Sequence, residues 1–333
     1  MRWLVTGGAG FIGTNLASSL VEEGSEVVVL DDLSRPGSEV NALFLSETYG
    51  LETGAADISD PNQLSAFLED SGAFDAVAHL AGQVSLMQSI EDPRRDFLVN
   101  AYGTLNILEW VRLNSPEVPV IGISSNKIYG DLASVEIIEE AKRYVAPEWP
   151  NGFDESLPLG LHGPYGCSKG VADQYLADYS RTFGLRTASL RQSSVYGPHQ
   201  HPRSDQGWVA HMVDEAVSGR KIKLNGAGKQ VRDLLHARDL ARLFPALADA
   251  LVAGQPVQAN VGGGPETSTS ILELFDHLEE LTGHRVDYAT GEERPSDQKV
   301  FVADTGLISR ISGWAPSTSV DQGLEELVSQ SAG

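Results

Sequence analysis

The chain has 333 residues, of which 41% are hydrophobic, enough for about two domains or one large α/β unit with a sizeable core. Its formal net charge of −22 argues against nucleic acid and anionic membranes as partners, because an excess of carboxylates repels both. Cys167 is the single cysteine, and the N-terminus shows neither a basic leader nor a long apolar segment, so we expect a cytoplasmic protein.

Short apolar runs alternate with helix-like stretches in the N-terminal part of the chain. The runs predict strands at 3–6, 26–30, 76–80, 118–124 and 186–191. Helices are predicted at 12–23, 62–68, 99–114 and 165–183. Several runs lack polar alternation, which is typical of strands buried on both faces of a parallel sheet. The pattern predicts an α/β fold with a doubly wound parallel sheet of the Rossmann type.

The order of elements becomes less regular after Arg191. Stretches rich in Gly and Pro occur at 196–202, 226–228 and 262–265, and a helix is predicted at 271–281. We interpret this part as a smaller α/β lobe over the carboxyl ends of the strands, where it would bind substrate. Residues 1–190 would then form the sheet domain with the catalytic residues, and 191–333 mainly the lobe, interleaved with the sheet.

A glycine-rich turn follows the first predicted strand. Gly7, Gly10 and Gly13 have the G-x-x-G-x-x-G spacing and open the first helix, with Phe11 and Ile12 between them. Such glycines permit a tight turn, let the backbone approach a pyrophosphate and let the helix pack on the strand. The free N–H groups of the helix N-terminus favour an anion. The turn therefore predicts a dinucleotide site.

Asp31 ends the second strand, where a carboxylate can bind both ribose hydroxyls and would repel a 2′-phosphate. NAD is therefore favoured over NADP, with nearby Arg35 as the one feature against it. Two later turns fit the same ligand. Asp57-Ile58 follows the third-strand position and would border the adenine, while Leu80-Ala81-Gly82-Gln83 ends the next strand with small residues. Each of these two turns could equally be a plain strand–helix connection.

A tyrosine and a lysine stand four residues apart on a predicted helix. Because Tyr165 and Lys169 share one face, the ammonium would stabilise the phenolate and lower its pKa, making a base for a hydroxyl proton. Ser125 closes a strand at the carboxyl edge of the sheet and could share that proton. Alone, the pair could lie on the surface and Ser125 could be a helix cap. In the dinucleotide context we expect the three to form one catalytic site.

Together these motifs resemble the extended short-chain dehydrogenase/reductase family of NAD-dependent sugar-nucleotide epimerases and dehydratases, over nearly the whole chain. In that family the position of Ser125 is a catalytic Ser or Thr. The 4,6-dehydratases carry Asp-Glu next, whereas this chain has Asn126-Lys127, which disfavours a dehydratase.

A closer resemblance, to the 2-epimerases that interconvert CDP-paratose and CDP-tyvelose, rests on segments 31–37, 79–84, 125–131, 164–170, 205–209 and 228–233. The chain departs from that subgroup at Gly163, where a serine is usual, and at Arg94-Arg95, where less charge is usual.

The residue motifs and the resemblance together imply two sets of ligand-binding residues. The cofactor set is Gly7, Gly10, Phe11, Ile12, Gly13, Asp31, Asp32, Ser34, Arg35, Asp57, Ile58, Leu80, Ala81, Gly82, Gln83, Asn100, Tyr165 and Lys169. The substrate set is Gln83, Ser85, Ser125, Asn126, Lys127, Ser194, Gln206, Gly207, Trp208, Arg232 and Arg294. The two arginines would contact a diphosphate, although ordinary surface arginines are the alternative, and Trp208 could equally belong to a core or a lid.

The expected function is NAD-dependent epimerisation of a nucleotide sugar by transient oxidation to a ketone, at carbon 2 of a CDP-deoxysugar. The alternatives are a UDP-hexose 4-epimerase, another dehydratase or decarboxylase on this scaffold, and a non-catalytic dinucleotide sensor. We expect a homo-oligomer, dimeric or tetrameric. His199-Gln200-His201 is interpreted as a polar loop, and no metal is expected.

Overall fold

The computed structural model describes residues 1–201, 207–293 and 297–331. Its strands are β1 (Arg2–Thr6), β2 (Glu26–Asp31), β3 (Thr53–Ala55), β4 (Ala76–His79), β5 (Val120–Ser125), β6 (Ile138–Glu139), β7 (Tyr144–Val145), β8 (Thr187–Gln192), β9 (Ser194–Tyr196), β10 (Ile222–Lys223), β11 (Val231–His236), β12 (Val257–Val261), β13 (Ser268–Ser270), β14 (Tyr288–Ala289) and β15 (Val300–Phe301).

The helices of the same residues are α1 (Phe11–Glu22), α2 (Ser38–Tyr49), α3 (Pro61–Ser71), α4 (Leu86–Glu91), α5 (Pro93–Phe97), α6 (Gly103–Asn114), α7 (Gly163–Phe183), α8 (Trp208–Val217), α9 (Ala237–Ala250), α10 (Ile271–Thr282), α11 (Gly306–Ser312) and α12 (Val320–Ser331). A π-helical turn, Leu98–Tyr102, joins α5 to α6. None of these helices is both long enough and apolar enough to cross a membrane.

The central sheet has seven strands in the order β3-β2-β1-β4-β5-β8-β12, and every pair of neighbours is parallel. Helices cover both faces. On one face α1 and α9 pack through Leu20 and Phe244; on the other α3, α6 and α7 pack through Leu64, Leu108 and Leu176. The doubly wound prediction is confirmed. The strand order reverses between β1 and β4, which places the ligand crevice of such folds beside these strands.

A second group of elements has its own apolar core and its own short strands. Helices α8, α10 and α12 share an apolar core that includes Met212, Leu274 and Leu324. Strand β11 pairs with β9, β13 and β15, and β10 pairs with β14. Between the sheet and this group of elements, the β6–β7 hairpin packs over a cluster that contains Phe153 and Phe301.

The predicted elements agree with the structure to within a few residues at each end. Strand β12 comes from the C-terminal part of the chain and completes the sheet beside β8. The sequence patterns indicated a third strand without bounds, and they did not predict β12, α2 or α9. Strand β3 is three residues long and contains a glycine, so it lacks an apolar run. Helix α9 did carry a signal, because its buried Leu240, Leu243, Phe244 and Leu247 recur at helical spacing.

Candidate active site

The glycine turn leaves no room for side chains. Gly7 has φ +67°, and a Cβ there would lie 2.6 Å from the Ala81 nitrogen. A Cβ on Gly13 would lie 2.1 Å from the Gly7 carbonyl oxygen, so α1 begins in direct contact with the turn. The N-terminus of α1, at Phe11, borders an open cavity of about 460 Å³. This arrangement suits a pyrophosphate against free backbone N–H groups.

The cavity runs along the carboxyl edge of the sheet past the crossover between β1 and β4. It is lined by most of the predicted cofactor set and part of the predicted substrate set: Gly7, Gly10, Phe11, Ile12, Gly13, Asp31, Asp32, Ser34, Arg35, Asp57, Ile58, Leu80, Ala81, Gly82, Gln83, Ser85, Ser194, Gly207 and Trp208. The size, the glycine cradle and the carboxylates fit an extended dinucleotide.

Asp31 connects the glycine turn to the loop after β2. Its Oδ2 accepts a hydrogen bond from the Ala9 N–H at 3.1 Å, and its Oδ1 accepts one from the Leu33 N–H at 2.9 Å. Burial raises the pKa of this carboxyl, and the backbone N–H groups of Leu33, Ala9 and Gly10 oppose the rise. A carboxylate has about four acceptor sites, so Asp31 retains capacity for ribose hydroxyls.

An arginine that was not among the predicted site residues lies across one end of the cavity. Arg95 pairs with Asp32 at 3.1 Å and with Asp57 at 2.7 Å, and it also donates to the Ser59 hydroxyl at 2.9 Å. It therefore links the loops after β2 and β3, the two loops assigned to the adenosine. The unusual charge at Arg94-Arg95 was the only sequence signal for it.

The three predicted catalytic residues are buried together beside the cavity. Ser125 ends β5, and Tyr165 and Lys169 lie on the first turns of α7. The Ser125 hydroxyl caps the turn that follows β5: it accepts from the Lys127 N–H at 3.2 Å and donates to the Asn126 Oδ1 at 3.3 Å. The Lys169 ammonium donates to the Ile123 carbonyl at 3.1 Å. Lys169 stands behind the cavity wall at Gly82, where a Cβ would lie 2.9 Å from the Lys169 Nζ.

The electrostatics of this trio differ from expectation. We predicted that Lys169 lowers the pKa of Tyr165, but burial raises that pKa to about 12, with the Ser125 hydrogen bond opposing the rise. Burial also lowers the pKa of Lys169 to about 8. The net pKa shift of Tyr165 is therefore upward, opposite to the predicted direction, because residue spacing does not report how far the phenol and the ammonium are removed from water.

Two polar atoms at this end of the cavity lack partners among the described residues. The Asn100 Oδ1 is buried and 3.0 Å from the position of a Cβ on Gly82. The Gln192 Oε1 is also buried, in a residue that lines the cavity and is the register partner of Ser125 across β5 and β8. Buried orphan acceptors are costly, so both atoms fit hydrogen bonds to a bound ligand. Gln192 was not predicted.

A buried carboxylate, also unpredicted, joins the catalytic helix to the opposite wall. Asp96 on α5 is 0% exposed. It accepts hydrogen bonds from Ser168 at 2.5 Å, from Gln83 at 3.0 Å and from Asn100 at 3.2 Å. The amide of Gln83 uses its other proton on the Ser85 carbonyl, so both its donors are engaged within the protein.

The predicted substrate residues fall into two groups. The Trp208 indole donates to the Ser194 hydroxyl at 3.1 Å, and Gly207 caps α8 beside them, all at the cavity. Lys127 and Arg232 lie away from its lining and converge on Asp297, each at 3.0 Å.

Asn126 is buried and donates to Gln298 at 2.9 Å. Gln206 and Arg294, which were also predicted to bind substrate, lie outside the described residues.

The two histidines of the predicted polar loop pack on α2 at the cavity rim. The His199 ring lies 4.2 Å from that of Phe44, and His201 hydrogen-bonds to Asn41 at 3.0 Å. Within the described parts of the chain, no group of three or more His, Cys, Asp or Glu is arranged to hold a metal ion.

Residues 3–262 match the model of the NAD dependent epimerase/dehydratase family. The chain belongs to this family, and it is therefore an NAD-dependent enzyme. It is 42% identical to the CDP-paratose 2-epimerase of Salmonella typhi, over 98% of each chain.

Solved structures of two UDP-glucose 4-epimerases are also similar. The Thermus thermophilus enzyme, in complex with NAD, is 30% identical with a TM-score of 0.81, over 100% of this chain and 99% of that one. The Thermotoga maritima enzyme, with UDP-glucose, is 28% identical with a TM-score of 0.84, over 99% and 98%.

Proposed function

We propose that the chain inverts carbon 2 of a CDP-linked deoxysugar, interconverting CDP-paratose and CDP-tyvelose or a close analogue. The observation that carries an oxidation-based reaction is the burial of Ser125, Tyr165 and Lys169 at the end of β5 and the start of α7, with Lys169 directly behind the wall of a glycine-cradled cavity. The choice of carbon 2 and of CDP is supported by the similarity to the Salmonella typhi enzyme.

The catalytic residues move a single proton, that of the sugar hydroxyl on the carbon to be inverted. NAD, when bound, supplies the hydride acceptor and donor and a positively charged ring. Tyr165 takes the proton of the sugar hydroxyl at the carbon to be inverted, while Ser125 hydrogen-bonds to the same group and orients it. The Lys169 ammonium favours the phenolate that Tyr165 must become. The pocket would have to let the resulting ketone rotate so that it presents its other face, and Tyr165 would return the proton to the oxygen as the inverted alcohol forms.

The substrate would extend from this trio toward the lobe. Ser194, Gly207 and Trp208 would contact the nucleotide end, because they line the cavity together. The diphosphate is assigned to Arg232 and, outside the described residues, to Arg294. Gln206, Gln83 and Ser85 are assigned to the sugar pocket. We also propose a sheet domain of residues 1–190, a lobe formed mainly by residues 191–333 and interleaved with the sheet, a cytoplasmic location and a dimeric or tetrameric homo-oligomer.

A 4-epimerase acting on a UDP-hexose is the second candidate, since the trio oxidises whichever hydroxyl the pocket presents. The similarity to two UDP-glucose 4-epimerases supports it. A dehydratase is disfavoured. Asn126 and Lys127 replace the acid and base, and their side chains contact Gln298 and Asp297.

Incubation with CDP-paratose carrying deuterium at carbon 2 tests the proposal. We expect CDP-tyvelose with the label still on carbon 2, because the hydride leaves and returns without exchange. Label lost to water would indicate direct deprotonation instead. No reaction, together with inversion of carbon 4 of a UDP-hexose, would establish the second candidate. Tyr165→Phe is the matched control: it should retain NAD and lose about 10²–10⁴-fold in rate.

A further inference from the structure

Asp96 is a buried charge that the proposed reaction does not use. It is 0% exposed, and three donors from three different segments surround its carboxylate: Ser168 on α7, Asn100 on the π-helical turn and Gln83 on the loop after β4. A carboxylate is expensive to bury unless donors and a cation compensate it. Burial raises the pKa of Asp96, and the Ser168 hydrogen bond, the Lys169 charge and the Asn100 hydrogen bond oppose that rise. The surrounding donors and the nearby cation therefore favour the ionised form against the cost of burial.

Asp96 lies next to the segment of α7 that carries Tyr165 and Lys169. Its strongest partner, Ser168, directly precedes Lys169 and is three residues after Tyr165, whose carbonyl lies 3.2 Å from the same Ser168 hydroxyl. The Asn100 amide donates to both Asp96 and Ser168, which closes a small network beneath the two side chains. The carboxylate thus lies where its field reaches both the phenol and the ammonium.

We propose that Asp96 is a positioning residue whose negative charge keeps the Lys169 ammonium protonated within the buried site. This inference rests on the proposed function only in its kinetic consequence, because the charge of Lys169 can be measured without substrate.

The charged and titratable groups around Asp96 support this assignment. Lys169 and Tyr165 face it from α7, and the carboxylate raises the pKa of both. His79 on β4 is buried, and the charge of Lys169 contributes to lowering its pKa to about 3, so it stays neutral. On the helix of Asp96 itself, Arg95 is engaged with Asp32 and Asp57. Lys169 is therefore the cation whose charged form Asp96 stabilises.

The competing explanation is that Asp96 only holds the loop and helix together through hydrogen bonds. Two substitutions separate charge from bonding. Asp96→Asn removes the charge but keeps the hydrogen bonds. The amide oxygen can still accept from Gln83, and the amide NH₂ can donate to the Ser168 hydroxyl, which can itself donate to the Tyr165 carbonyl. Ser168→Ala keeps the charge and removes the shortest hydrogen bond. A bonding role predicts similar effects for both variants, whereas a charge role predicts an effect of the first alone.

The experiment measures the pKa of Lys169 in the NAD-loaded full-length protein, by NMR of ¹³C-labelled lysine with Lys169→Arg to assign the signal. We expect the pKa to lie below its ordinary value and to be the same in the wild type and in Ser168→Ala. In Asp96→Asn we expect it to be lower by roughly one unit or more. The alkaline limb of the pH–rate profile on CDP-paratose should move down by the same amount.

An unchanged Lys169 pKa in Asp96→Asn, or an equal shift in Ser168→Ala, would overturn the proposal. Asp96→Ser serves as a second neutral variant, and loss of folding in both neutral variants would assign Asp96 to stability alone, which also overturns it. A wild type that fails to act on CDP-paratose would contradict the proposed function but leave the NMR result to decide the role of Asp96.

Discussion

Gly13→Ala should damage the dinucleotide site more than it damages the fold. The new Cβ would lie 2.1 Å from the Gly7 carbonyl oxygen and 2.5 Å from the Gly8 Cα, well inside the 3.4 Å at which ordinary contact begins. Both obstacles are backbone, so α1 must move away from the turn. Overpacking of this kind costs about 1–3 kcal/mol. If this cost destabilises the NAD-bound conformation of the turn, the affinity for NAD drops by roughly 10- to 100-fold.

Gly24→Ala provides the matched control for backbone strain. Gly24 has φ +84° just after α1 and nothing within 4 Å, so alanine there is strained without meeting a neighbour. Calorimetric titration of NAD-stripped protein, with urea unfolding alongside, separates the two effects. Both variants should lose stability, and only Gly13→Ala should lose NAD affinity. Wild-type affinity in Gly13→Ala would refute the assignment of the turn to the pyrophosphate.

Further outcomes follow from the ion pairs and buried carboxyls. Arg95→Ala should speed NAD release about 3- to 10-fold, since ion pairs near the surface contribute about 0.2–1 kcal/mol each. Stopped-flow displacement of NAD should show that the difference from wild type becomes smaller at high salt. The control Arg94→Ala, at an exposed position, should release NAD at the wild-type rate. Asp173→Ala should lower the free energy of unfolding by about 3–5 kcal/mol in urea titrations, because the buried Arg191 loses the carboxylate that pairs with it and keeps a neutral partner, the Tyr129 hydroxyl; a loss below 1 kcal/mol would contradict this. Burial raises the pKa of Asp233 from 3.8 to about 6, so the folded state holds that proton longer and stability should fall as the pH rises from about 4 to 6. Asp233→Asn should flatten that part of the pH–stability curve, and an unchanged slope would exclude Asp233 as its source.

The parts of the site that the sequence predicted are those set by local chain geometry. Gly7 and Gly13 lie within one strand–turn–helix unit, so their spacing alone defines the cradle. Asp31 follows because the carboxyl end of β2 must lie beside the same turn in a parallel sheet. Tyr165 and Lys169 share a helix face for the same local reason.

The unpredicted parts depend on contacts between distant segments. Asp96 meets Ser168 across 72 positions, and Arg95 meets Asp57 across 38. No periodicity relates such residues, so only the folded chain brings them together. The raised pKa of Tyr165 was missed for a related reason. It depends on how completely the surrounding elements exclude water from the phenol, which residue spacing does not encode.

The pairing of β12 with β8 has a consequence for how the chain emerges from the ribosome. Until Val261 has been synthesised, β8 has β5 on one side and an open row of backbone donors and acceptors on the other. Unpaired edges of this kind invite association with other chains. A fragment ending near residue 190 would therefore expose β8 as an unpaired edge strand that can associate with other chains. Some seventy more residues must be synthesised before β12 can pair with β8 and complete the sheet.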